Sequence, residues 1–216
     1  MKIIINKKND NMHPVIIATN NMGKLREIRE ILSGSPFELS SLKDHFDPVP
    51  SIPENGTTFH ENAAAKARWV FERKRIWSLA DDSGLEVDFL NGLPGVRSSR
   101  YAGECASDQD RVKKLLAALA DCPEEKRSAR FKCVIVMKFS DADELVAEGA
   151  CEGKIGYKPR GSDGFGYDPV FIPVGFEKTF AQLDAPAKND ISHRGKALAA
   201  LRRSLHDRFG KEWIDG

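Results

Sequence analysis

The sequence has no close cysteine pair. Cys105, Cys122, Cys133 and Cys151 are its four thiols in 216 residues, and none of the spacings suits a zinc-ligand pair or a small disulfide framework. It has no surplus of charge. Its 33 basic and 32 acidic residues leave a formal net charge of +1, too weak a field to favour a nucleic-acid polymer or a membrane surface as partner. It has no long apolar run: Met1 to Ile5 is far too short for a signal peptide or a membrane span. A soluble, cytoplasmic protein is therefore expected. No internal repeat or low-complexity linker occurs. Both common nucleotide fingerprints are missing, G-x-x-x-x-G-K-[ST] altogether and G-x-G-x-x-G after a strand, because Gly164-Phe165-Gly166 has the wrong continuation. That argues against a P-loop ATPase or an NAD enzyme.

An apolar content of 41% is enough for a proper core. At roughly 150 residues per domain the length suits one large domain or two joined lobes. Lys7 to Asn11 reads as disordered and Met12 as a candidate start, so residues 1–12 are expected to be an extension and 13–216 one unit. Val15-Ile16-Ile17-Ala18 reads as a short buried strand, and Leu25, Ile28, Ile31 and Leu32 recur at helical spacing until Ser33-Gly34. After a Pro-rich loop from Asp47 to Asn55, Thr58-x-x-Glu61 is a capping box. It opens a helix with Phe59, Ala63, Ala67, Val70 and Phe71 as the apolar stripe and with Asn62 and Lys66 on another face. Trp77 to Ala80 reads as a strand ending at Asp81-Asp82-Ser83-Gly84. Leu85, Val87 and Phe89 read as a half-exposed strand before an Asn91-Gly92 turn. Ser107 caps a helix burying Val112, Leu115, Leu116 and Leu119. Ala129 to Phe139 and Glu144 to Ala150 form a hairpin. A mobile loop follows over Gly161 to Gly166, then extended chain from Tyr167 to Phe171, and a last helix capped by Ser192. The predicted class is α/β with a mixed sheet.

Five segments carry chemistry. Thr19-Asn20-Asn21-Met22-Gly23-Lys24 joins a strand to a helix start, where free amides and a lysine suit a phosphate. The Asp81-Asp82 pair suits a metal or a general base, since two adjacent like charges raise each other's proton affinity unless a cation neutralises them; a capped turn is the alternative. Glu54 and Lys66, each taken alone, read as a solvated acid and a snorkelling amphipath. Gly164-Phe165-Gly166-Tyr167-Asp168 flanks an aromatic with glycines, which bares its face to a flat base; a plain glycine loop with a core Phe fits as well. Ser192-His193-Arg194-Gly195-Lys196 sets cations at a helix N-terminus, a local cost that asks for a compensating anion or acceptor.

Together these pieces resemble the Ham1-type inosine/xanthosine triphosphate pyrophosphatases. The matching segments are Ala18-Thr19-Asn20-Asn21-x-Gly23-Lys24, Phe59-x-Glu61-Asn62-Ala63-x-x-Lys66-Ala67, Ala80-Asp81-Asp82-Ser83-Gly84-Leu85, Gly164-Phe165-Gly166-Tyr167-Asp168-Pro169 and Ser192-His193-Arg194-Gly195-Lys196-Ala197-Leu198, in the family's order. The resemblance implies an elongated mixed sheet flanked by helices, two lobes with a central cleft, and a homodimer. It implies magnesium-dependent hydrolysis of non-standard purine triphosphates to monophosphate and pyrophosphate. It implies that Asp82 is general base and metal contact and that Glu54 is the other metal contact. Thr19, Asn20, Asn21, Met22, Gly23, Lys24, Lys66 and Ser83 would hold the triphosphate. Phe165, Gly166, Tyr167, Asp168, Lys188, His193 and Arg194 would surround base and sugar. The rivals are a Maf-like pyrophosphatase for modified pyrimidine or methylated nucleotides and a non-catalytic nucleotide sensor.

Overall fold

The computed structural model describes residues 12–210; the expected N-terminal extension, apart from Met12, lies outside them. One mixed sheet runs in the order β2-β1-β3-β4-β5-β6. Strand β1 (His13–Ile17) pairs in parallel with β2 (Phe37–Ser41) and β3 (Trp77–Val87). From β3 onward the pairing is antiparallel, through β4 (Ser128–Lys138), β5 (Glu144–Ile155) and β6 (Phe171–Pro173). The class is α/β, as expected. The parallel edge strand β2 was not foreseen. Its polar Glu38, Ser40 and Ser41 hide the apolar alternation that marks a strand.

Helix α1 (Met22–Ile31) and the last helix α5 (His193–Phe209), which follows the short helix α4 (Ala185–Ile191), cover one face of the sheet. They close a core of Val15, Ile17, Leu25, Ile28, Leu79, Ile135, Leu198 and Leu201. Helix α2 (Phe59–Lys74) covers the other face, over Ile16, Ala18, Ala80 and Val136. A third cluster joins α3 (Asp108–Ala118) to the far half of the sheet through Leu85, Val112, Leu115, Phe131 and Phe171. Each large aliphatic side chain buried in these layers contributes about 1.5–3 kcal/mol. The Thr58–Glu61 capping box and the Ser107 cap form as read, and Asp110 completes a second box with Ser107.

Three local expectations are corrected. Strand β3 does not stop at Asp81: it runs unbroken to Val87, because Asp81 and Asp82 keep their backbone register with Ile135 and Val134 of β4. Leu85 and Val87 are accordingly fully buried, while Phe89 falls in a short 3₁₀ turn and is exposed. Tyr167 to Val170 is a turn, not extended chain; the strand begins at Phe171. The glycine segment is tied down rather than loose. Asp168 accepts from the Phe165 amide at 2.8 Å and Asp108 from the Gly166 amide at 2.7 Å. Gly164 and Gly166 take φ of +77° and +63°, which side chains disfavour.

Candidate active site

Successive residues of a strand point to opposite faces, and this separates the two aspartates. Asp81 follows Leu79 onto the α1/α5 face and Asp82 follows Ala80 onto the α2 face. The like-charge coupling expected of neighbours is thus replaced by two different environments.

Asp81 is fully buried beneath a set of donors. Lys24 Nζ stands 2.5 Å from Oδ1, and Arg194 Nε and the Cys133 thiol each donate to Oδ2 at 2.9 Å. Burial raises the proton affinity of Asp81, but Arg194 and Lys24 outweigh it and hold the carboxyl well below the usual range. Arg194 also donates to Ser83 Oγ at 2.9 Å and pairs with Glu27. Lys188 then bridges Glu27 at 2.7 Å and Asp168 at 2.6 Å. A buried chain of alternating charge therefore runs Lys24–Asp81–Arg194–Glu27–Lys188–Asp168. It answers the cost of cations at the start of α5, where Ser192 is the cap and accepts from the Gly195 amide. The compensating anions are the protein's own, so that cluster did not by itself point to a ligand. The other consequence is that the Arg194 guanidinium is largely committed inside the fold.

Asp82 lies on the wall of a cavity of about 1020 Å³. Asn62 Nδ2 donates to its Oδ2 at 3.1 Å, and Lys66 Nζ to its Oδ1 at 3.1 Å. Lys66 also donates to Glu54 Oε1 at 2.8 Å and to the Asp81 carbonyl at 2.6 Å. Asn62 and Lys66 are buried against β3, on the inward side of α2 and not on a solvent face. Burial raises the Asp82 carboxyl above its ordinary value although Lys66 and Lys24 oppose it. For Glu54 the balance goes the other way: burial raises it, and the Lys66 charge more than reverses that. Glu54 is therefore no free surface acid.

At the other end of the cavity stand Phe131, Phe165, Tyr167, Lys188 and His193. The Phe165 ring rests on Gly23, where an added Cβ would come within 2.8 Å of ring carbons. His193 stacks on Phe131, with ring centroids 4.7 Å apart and planes 11° apart, and its buried Nδ1 has no hydrogen-bond partner among the described residues. Burial and the neighbouring Arg194 hold this imidazole neutral, well below its usual pKa. Lys188 Nζ lies 5.1 Å from the Phe165 ring centre.

The expected site residues thus converge on one hollow, with two exceptions. Met22 is largely exposed at the opening of α1 and does not line the cavity; Gly23 does not line it either, but makes room for Phe165. Asn21 caps α1, its Oδ1 accepting from the Lys24 amide at 3.0 Å, which leaves the amides of Met22 and Gly23 at the open helix end. Sequence reading missed Glu27, Asn62 as a ligand of Asp82, Arg97, Arg100, Asp108 and Cys133. Glu27 had a signal: an acid one residue before Ile28 and three after Lys24, at the edge of the apolar stripe. Arg97, Arg100 and Asp108 reach the cavity only through tertiary packing.

The donor set suits magnesium. Glu54 and Asp82 present carboxylates converging on one ammonium, all-oxygen ligands that a hard cation accepts alongside phosphate oxygens. Among the described residues no cluster of three or more His, Cys, Asp or Glu is placed to hold an ion without such help.

The sequence profile of the Ham1 family matches residues 15–204. The chain belongs to the Ham1 family. A dITP/XTP pyrophosphatase of Oceanobacillus iheyensis is 45% identical over 195 residues, covering 90% of this chain and 99% of the relative. That of Vibrio cholerae is 46% identical over 198 residues, covering 91% and 98%. The solved Ham1 protein of Coxiella burnetii superposes with a TM-score of 0.81 at 42% identity, covering 91% of this chain and all of that one. In this Ham1 protein every ion pair and hydrogen bond described for the site falls within the matched span.

Proposed function

We infer that this protein hydrolyses dITP, ITP and XTP between the α- and β-phosphates, giving the nucleoside monophosphate and pyrophosphate, and so clears non-standard purines from the nucleotide pool. The observation that carries the reading is Asp82: a buried carboxylate of raised proton affinity, bonded to Lys66 on the wall of a cavity that Phe165 and Glu54 also line. Its relatives bear the corresponding name.

Asp82 orients a water and takes its proton as the oxygen bonds to the α-phosphorus. The bond from that phosphorus to the bridging oxygen breaks, and its electron pair leaves with pyrophosphate. Phosphoryl transfer needs alignment and charge neutralisation more than covalent help. Lys24, Lys66 and the open end of α1, with Thr19, Asn20 and Ser83 beside them, supply the binding for the phosphates. Magnesium, held by Glu54 and Asp82, adds charge neutralisation at the phosphate oxygens when bound. Phe165 gives the purine a stacking face, with Gly166, Tyr167 and Asp168 shaping the loop beneath it. Lys188, a donor-only cation, pairs with a carbonyl at C6 and meets adenine's amino group donor to donor; such mismatches cost up to about 10⁴-fold. His193 closes the same end. Residues 13–216 act in this reading as one two-lobed unit. The protein works as a cytoplasmic homodimer. Among the described residues no helix is long and apolar enough to cross a membrane.

The test is a substrate panel with separate assays for pyrophosphate and orthophosphate. Pyrophosphate release from dITP, ITP and XTP well above that from ATP or dATP is expected. Equal rates on ATP, or orthophosphate as first product, would overturn the reading. Light scattering tests the dimer.

A further inference from the structure

The cavity continues past its carboxylates to the 3₁₀ turn Gly95–Arg100, which contributes Arg97 and Arg100 to the wall. Side chains three apart eclipse one another in 3₁₀ geometry, so the two guanidiniums leave the turn on one side. The turn is firmly seated. Ser98 Oγ accepts from the Leu85 amide at 2.9 Å and donates to the Gly95 carbonyl at 2.6 Å, and the Tyr167 hydroxyl donates to the Ser98 carbonyl at 3.0 Å. Gly84 of β3 lies beneath it, where any Cβ would strike the Gly95 carbonyl and Ser98 Oγ. Arg100 Nη2 donates to the Glu54 carbonyl at 3.2 Å, and Nη1 lies 3.7 Å from Glu54 Oε2. Glu54 therefore stands between Lys66 on one side and Arg100 on the other.

Arg97 differs from the other cations of the wall. Lys24 is paired with Asp81, Lys66 with Asp82 and Glu54, Lys188 with Glu27 and Asp168, Arg111 with Asp108, and Arg194 with Asp81 and Glu27. Arg97 is exposed, and among the described residues its guanidinium has no hydrogen bond, ion pair or ring contact. It is an uncommitted, phosphate-matching fork facing the same hollow. The cleavage described above sends its growing negative charge into the leaving pyrophosphate, while the cations nearest Asp82 already serve carboxylates.

We propose that Arg97 and Arg100 form the subsite for the β- and γ-phosphates of the substrate and for pyrophosphate as it leaves. The assignment rests on the function inferred above and names the groups that meet the tail. Arg97 grips the terminal phosphate from the solvent side. Arg100 divides its donors between that tail and Glu54, so arrival of the tail also steadies the carboxylate beside Lys66.

Two measurements test it. Arg97 supports nothing in the fold, so Arg97→Ala and Arg97→Glu remain folded. Inosine diphosphate lacks the γ-phosphate, so the ratio of kcat/KM for ITP to that for IDP reads the terminal contact; it falls about tenfold or more in Arg97→Ala, the range of a lost charge-assisted phosphate contact. Titration with inorganic pyrophosphate and magnesium shows a similar loss of affinity, larger in Arg97→Glu, while affinity for inosine monophosphate is kept. An unchanged ITP/IDP ratio together with wild-type pyrophosphate binding in both variants overturns the subsite. Failure of the wild-type protein to turn over ITP would instead sink the reading of its function, and the pyrophosphate titration still decides the subsite by itself.

Discussion

Asp81 and Asp82 are adjacent in sequence, yet their amides should have opposite consequences. Asp81→Asn removes the negative charge that Lys24 meets at 2.5 Å and Arg194 at 2.9 Å, in a place with no solvent access. Arg194 is itself 1% exposed. Taking one partner from a buried pair costs about 3–5 kcal/mol, because the remaining charge stays desolvated. For a chain of this size each kcal/mol shifts Tm by about 2–4 °C, so a fall on the order of 10 °C is expected. Asp82→Asn is different. Burial already disfavours ionised Asp82, and Lys66 keeps Glu54 and the Asp81 carbonyl as partners. Its stability should stay within about 1–2 kcal/mol of wild type, well below the cost of breaking a buried pair, while pyrophosphate release from ITP falls at least about 10²-fold. Thermal unfolding followed by circular dichroism, beside turnover measured below the lower Tm, separates the two. An Asp81→Asn protein with wild-type Tm would refute the buried-charge argument. An Asp82→Asn protein with near-normal turnover would remove Asp82 as general base.

Stripping divalent ions with a chelator should abolish pyrophosphate release from ITP, and added magnesium should restore it; turnover that survives chelation would exclude a metal role for Glu54 and Asp82. Glu27 is buried, but Arg194 and Lys188 hold its carboxyl below the ordinary 4.5. Stability from such a depressed acid is present above the unfolded pKa and is lost as pH falls through the folded one. Glu27→Gln should therefore lower stability by about 3 kcal/mol at neutral pH, with the gap to wild type closing below pH 4.5; urea unfolding across pH checks it, and a gap independent of pH would count against the charge chain. Gly23→Ala should push the Phe165 ring off its seat and raise KM for ITP several-fold with little change in Tm, since the contact is with a side chain at the cavity and not with the core. A KM equal to wild type would show that the ring's place does not matter for binding.

Local chemistry was enough to read the elements whose cause is local. The Thr58, Ser107 and Ser192 caps, the apolar stripes of α1 and α2, the Asn91-Gly92 turn and the β4–β5 hairpin follow from spacing and capping within a few residues. The order of the motifs was enough to name the family and to list Glu54, Lys66, Asp82, Lys188 and His193 together. Pairing decided the rest. Two adjacent aspartates look alike until β4 draws both into one strand; the alternation of side chains then gives Asp81 to Lys24 and Arg194, and Asp82 to Lys66 and the cavity. The cations at the start of α5 look like a ligand site until Glu27, 167 positions from Arg194, proves to be their counterion. A sequence states which charges a chain carries. Which ones cancel within the fold, and which one, Arg97, is left facing the hollow, depends on distances that exist only after the sheet and its helices have packed, because charge interactions fall with separation in space and take no account of separation along the chain.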